Sequence, residues 1–96
     1  MQKSLTDLGL DYIDLYLIHF PIALKYVPIE QLYPADWVNP DAMRMVPDET
    51  VSYHQTYAAM EEMHKRGLVR NIGVSNLGTL MIHQILTYAK VKPACL

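Results

Sequence analysis

Residues Leu15-Tyr16-Leu17-Ile18-His19-Phe20-Pro21 set four large apolar side chains in succession, then a histidine, an aromatic ring and a proline. Unbroken apolarity with no polar alternation is the pattern of a parallel strand buried on both faces, and a proline cannot donate to a ladder. The run therefore predicts a buried strand over 12–20 that delivers His19 at its carboxyl end. Where such strands alternate with helices, the loops leaving that end build the functional face, so position alone makes His19 a candidate site residue.

The rest of the chain supplies the alternation. Residues 4–8 read as the end of a helix, with Gly9 adopting the left-handed conformation that stops it. Residues 21–49 hold five of the six prolines and predict no regular element. Disordered segments rarely keep Tyr26, Tyr33 and Trp37 together, so this stretch is expected to be a packed lid over the strand end. Over 51–66, Tyr53, Tyr57, Met60 and Met63 form one helical stripe, with Glu61/Lys65 and Glu62/Arg66 as solvent-side ion pairs. Gly67 ends that helix, and residues 72–76 form a short second strand with Ser75 and Asn76 at its carboxyl end. Thr79 is positioned to cap a third helix that buries Ile82, Ile85, Leu86 and Ala89, and residues 92–96 approach another strand. Strands joined by helical crossovers require a parallel sheet.

Composition narrows the function classes. The 96 residues are 51% hydrophobic and 19% charged with a net charge of −2, which provides no basic surface for nucleic acid or an anionic membrane. Cys95 is alone and cannot form an internal disulfide, and no leader or membrane-spanning run is present, so a cytoplasmic protein is expected. A complete (β/α)8 barrel needs roughly 200 residues, so the chain reads as a piece of something larger. Two strands and the start of a third leave open apolar edges, and the isolated chain is expected to self-associate.

At this point the motifs resemble a known family. Leu8-Gly9-Leu10-Asp11-Tyr12-Ile13-Asp14-Leu15-Tyr16-Leu17-Ile18-His19-Phe20-Pro21 resembles the fourth barrel strand of the aldo-keto reductases. Gly67-Leu68-Val69-Arg70-Asn71-Ile72-Gly73-Val74-Ser75-Asn76 is similar to their fifth, in the family's order and separation. The resemblance implies an α/β fold that is a fragment of a (β/α)8 TIM barrel, about strands 4 to 5 with their helices and the approach to strand 6. It makes residues 1–96 a partial barrel domain with a long active-site loop at 21–49. His19-Phe20-Pro21-Ile22-Ala23, with Lys25-Tyr26-Val27-Pro28-Ile29-Glu30 and Tyr33-Pro34 after it, looks most like the xylose reductase branch, with aldose and sugar-phosphate reductases close behind.

The implied activity is reversible NAD(P)H-dependent reduction of an aldose or other aldehyde or ketone to the alcohol, with NADPH favoured over NADH as cofactor by family habit alone. The family uses a tyrosine, lysine, aspartate and histidine tetrad. His19 matches the histidine that hydrogen-bonds the substrate carbonyl, while the other three have no motif match in this chain. Ser75 and Asn76 match the pair that holds the nicotinamide carboxamide. Phe20 stands where many members have tryptophan, keeping an aromatic pocket wall without the indole N–H. Trp37 is a candidate substrate contact, with packing of the lid as the other reading. No metal site is implied: His54, His64 and His83 show no ligand spacing and read as surface residues.

Plainer readings stand beside these. A lone histidine at a strand end is often a structural hydrogen-bonding residue, and Ser75-Asn76 could cap the helix that follows. The competing reading of the whole chain is a non-catalytic barrel fragment that acts, if at all, through self-association or complementation. Asp11 and Asp14 precede or begin the first strand, so they face the end that serves stability and are not a paired acid and base.

Overall fold

The computed structural model describes residues 1–28 and 44–96. The elements are α1 (Gln2–Leu8), β1 (Ile13–Ile18), α2 (Tyr53–Lys65), β2 (Val69–Val74) and α3 (Thr79–Tyr88). The chain divides into two compact units, one made of Met1–Pro21 with His54–Leu96 and the other of Ile22–Tyr53.

In the first unit β1 and β2 pair in parallel, with Ile13 opposite Val69 and Ile18 opposite Val74. The helical crossover expected from the sequence is α2. Within the stretch 92–96, where the sequence predicted the approach to another strand, a single bridge forms: Cys95 pairs with Gly73 in parallel, and the Val74 amide donates to the Cys95 carbonyl at 3.1 Å. Gly9 and Gly67, at φ 66° and 76°, end α1 and α2 in the same manner. Each donates to the carbonyl three residues back while the next residue reaches five back, which satisfies carbonyls the helix leaves open.

Side-chain alternation gives the sheet two unlike faces. Ile18, Ile72 and Val74 lie on one face and are buried, and Tyr16 on the same face comes within 3.5 Å of the Ser4 hydroxyl of α1. Each isoleucine removed from water in this way stabilises the fold by about 1.5–3 kcal/mol. Leu15 and Leu17 lie on the other face and are 43% and 49% exposed, so β1 is not buried on both sides as its composition predicted.

The helices hold to the predicted pattern with four corrections, the first being that the expected Glu62–Arg66 pair is not among the ion pairs of the described residues. Tyr57 and Met60 are buried along α2, and Ile85 in α3 and Ala89 just beyond it are buried too. Leu86, expected on the buried face, is 45% exposed. Gly78, not Thr79, is the N-cap of α3, and no side chain caps that end. Glu61 does not serve as a solvent-side partner of Lys65. Its Oε1 accepts the backbone amides of Lys90 (2.6 Å) and Val91 (3.0 Å), while the Tyr57 hydroxyl, one turn earlier, donates to the Val91 carbonyl at 2.8 Å. Tyr57 and Glu61 thus hold both polarities of the backbone that leads into the stretch 92–96. Burial and the nearby Glu61 carboxylate raise the Tyr88 phenol above its ordinary pKa.

The second unit contains a regular feature that its prolines did not predict. Leu24 and Pro47 form an antiparallel bridge, the Lys25 amide donates to the Val46 carbonyl and the Asp48 amide to the Ala23 carbonyl, each at 2.8 Å. The bonds that Thr50 donates, first from its hydroxyl and then from its amide, lower the Asp48 carboxyl below its ordinary pKa.

Gly73 is where the sheet is tightest. A Cβ there would overlap the tip of Leu17 and lie 2.9 Å from Cys95 Sγ and 3.3 Å from Leu15 Cδ1. Gly73→Val is expected to destabilise the chain by about 1–3 kcal/mol through overpacking. Gly73→Ala should cost less, because half-exposed Leu17 can swing outward. Thermal unfolding of both variants checks this order, and an unchanged melting temperature for valine would contradict it.

Candidate functional site

Parallel pairing carries β1 and β2 in the same direction, so their carboxyl ends emerge side by side. His19 follows β1 directly and Ser75-Asn76 follow β2 directly. The Asn76 Nδ2 donates to the His19 carbonyl at 2.6 Å and lies 3.3 Å from Ser75 Oγ. The three residues singled out as histidine donor and carboxamide pair are therefore brought to one place.

The assignment of the Asn76 amide follows from chemistry. A backbone carbonyl can only accept, so the group facing it is the NH₂, and the Oδ1 faces the other way. Asn76 has φ 57°, a left-handed conformation that asparagine tolerates better than most residues. The capping reading of this turn is not what the structure contains: the N-cap of α3 is Gly78, and the Asn76 side chain crosses to the neighbouring strand instead.

Phe20 stacks on His19, with ring centroids 4.3 Å apart and planes at 26°. The imidazole is thus held against an aromatic face at the exposed mouth of the strand pair. Trp37 lies outside the described residues. Among the others, His64 is half-buried with Nδ1 3.0 Å from the Val69 carbonyl, the His54 ring lies tilted against Tyr88 with centroids 4.3 Å apart, and His83 is exposed. Only His83 and His54 are the surface residues expected. No group of three metal-ligating side chains occurs among the described residues, and no helix among them is long and apolar enough to cross a membrane.

The amino ends of the strands are built differently. Arg70 pairs with Asp14 at 3.2 Å and lies 3.9 Å from the Tyr12 ring centre, and Asn71 Nδ2 donates to the Asp14 carbonyl at 2.9 Å. These groups tie the two strands together away from His19, which is the role expected of Asp14. Asn71 was not anticipated. Its signal was available, since asparagine is depleted within strands and its presence there needs a local partner.

Ser75 and Asn76 suit a primary carboxamide. With Nδ2 turned to the His19 carbonyl, Asn76 presents an acceptor for an NH₂ group, and the Ser75 hydroxyl can donate to a carbonyl oxygen.

Comparison with known proteins follows the same direction. The model of the Aldo/keto reductase family matches residues 1–96. The chain is 43% identical over 96 residues to an NADPH-dependent D-xylose reductase of Meyerozyma guilliermondii, which takes in 100% of this chain and 30% of that protein. Among solved structures it resembles an aldose reductase from Giardia lamblia with a TM-score of 0.78 and 35% identity, covering 96% of this chain and 28% of that one. An aldo-keto reductase of Bombyx mori in complex with NADP matches with a TM-score of 0.70 and 39% identity, covering 96% and 24%. The chain thus spans about 30% of the length of the curated relative. Its motifs, its parallel α/β architecture and the match along its whole length make it a member of the aldo-keto reductase family, nearest in character to the xylose and aldose reductases.

Proposed function

We propose that these residues form the part of an NAD(P)H-dependent carbonyl reductase that orients the substrate carbonyl and holds the nicotinamide amide. In this reading β1 and β2 are the fourth and fifth strands of a (β/α)8 barrel, residues 92–96 are the approach to the sixth, and residues 21–49 are an active-site loop. The substrate is an aldose or another aldehyde or ketone, and NADPH is favoured over NADH. The observation that carries this reading is the meeting of His19, Ser75 and Asn76 at adjacent strand ends.

The residues have separate tasks. The His19 imidazole donates a hydrogen bond to the carbonyl oxygen, fixing the substrate and stabilising the negative charge that grows on that oxygen. Asn76 Oδ1 accepts from the carboxamide NH₂ and Ser75 donates to its oxygen, which sets the ring face presented to the substrate. The nicotinamide, when bound, supplies the hydride. Phe20 walls the pocket beside His19, and Trp37 is a candidate substrate contact with packing of the lid as its other reading. Protonation of the developing alkoxide needs an acid whose motif this chain does not contain, so the tetrad's tyrosine, lysine and aspartate come from other parts of a complete barrel.

A graft tests this. Residues 1–96 should replace the matching segment of the Meyerozyma xylose reductase and preserve NADPH-dependent reduction of xylose or a reactive aromatic aldehyde. In that graft His19→Ala should lower kcat on the order of 100-fold to 1,000-fold with NADPH affinity little changed. Unchanged turnover with weakened NADPH binding would remove His19 from the carbonyl. The 96 residues alone should show no turnover.

A second reading rests on the uncovered sheet face, where Leu15 and Leu17 are half-exposed. In it the chain by itself is a non-catalytic barrel piece that associates with a second copy to cover that face. Light scattering after size exclusion should give a mass that rises with concentration. A concentration-independent monomer with a sharp melting transition would eliminate this reading.

A further inference from the structure

We infer that Asn76 is a positioning residue for His19, acting through the His19 carbonyl, in addition to any contact it makes with a carboxamide. The inference rests on the carbonyl-reductase reading given above. His19 is the first residue beyond β1. The 2.6 Å bond from Asn76 Nδ2 fixes the peptide that follows its Cα, and the stacked Phe20 ring restrains the imidazole. The direction in which His19 leaves the strand is thus restrained by a side chain on the neighbouring strand end. The left-handed backbone at Asn76 aims that side chain across the sheet, a local strain of the kind kept where surrounding contacts demand it. One amide then faces two ways, its NH₂ toward the histidine and its oxygen toward the carboxamide site. The two halves of the site are held at a fixed separation by a single planar group.

The test is a double-mutant cycle in the same graft, with Asn76→Asp and His19→Ala made singly and together. Aspartate keeps the size, the tolerance of left-handed backbone and an acceptor for a carboxamide NH₂, but it sets an oxygen against the His19 carbonyl. Asn76→Asp should lower kcat about 10-fold to 100-fold when His19 is present, because a displacement near 1 Å has that scale of effect on a positioned group. In the His19→Ala background the same change should cost less than about 3-fold, since no imidazole remains to be misplaced. Equal losses in both backgrounds would overturn the inference and leave Asn76 with the carboxamide alone. Full kcat in Asn76→Gly, which keeps the positive φ and loses the amide, would overturn it as well. Crystal structures of the graft and its Asn76→Asp form without nucleotide give a readout independent of activity: the His19 ring should shift when the bond is lost. A ring in the same place in both defeats the proposal. An inactive unsubstituted graft would count against the carbonyl-reductase reading, and the crystals would still decide whether Asn76 positions His19.

Discussion

The parallel register of β1 and β2 is the constraint on which the site depends. Because Ile18 lies beside Val74, the next residues on each strand, His19 and Ser75, leave the sheet together. An antiparallel pair would send them to opposite ends, and a one-residue slip would turn the alternating side chains to the wrong faces. The register is clamped at both ends by asparagine side chains that cross from β2 to backbone carbonyls of β1, Asn71 to Asp14 and Asn76 to His19. The Arg70–Asp14 pair beside the first clamp is exposed and adds little, on the order of 0–1 kcal/mol. The crossing amides and the apolar residues beneath them carry more of the burden.

The other edge of β2 is prepared by contacts far from the strand. Tyr57 and Glu61 sit one turn apart on α2 and hold the backbone at 90–91, the hydroxyl to a carbonyl and the carboxylate to two amides. That grip directs the chain from α3 to the bridge between Gly73 and Cys95. Gly73 is small because Leu15, Leu17 and Cys95 converge over it, so any side chain would compete with them for the same space. The face on which they converge is the one left open to solvent.

Much of this was legible from local pattern. The apolar run ending at Pro21, the four-three-three stripe of α2, the two left-handed glycines and the approach of 92–96 to a strand all follow from rules that act over one turn or one strand. The errors have a common origin. Leu86 and Thr79 were placed by helical period and residue type, yet which side of α3 is buried depends on what lies beside it. Glu61 was matched with Lys65 by spacing, whereas its carboxylate accepts two backbone amides, at 90 and 91, which hold it in a fixed geometry that an exposed ammonium does not offer. The proline count of 21–49 hid an antiparallel bridge because each of its strands is too short to have a period.

By itself the sequence determined the element types, the parallel connection and the chemical identities at the strand ends, since these depend on neighbours along the chain. The motif also made His19, Ser75 and Asn76 a set. Only the tertiary structure decided that Asn76 reaches the His19 carbonyl, 57 residues away, and that its amide oxygen is thereby turned toward the other side of the site. That outcome depends on strand register and on one backbone torsion in the left-handed region. Neither is encoded in residue type or spacing, because a side chain's partner across a sheet is chosen by where the second strand comes to lie.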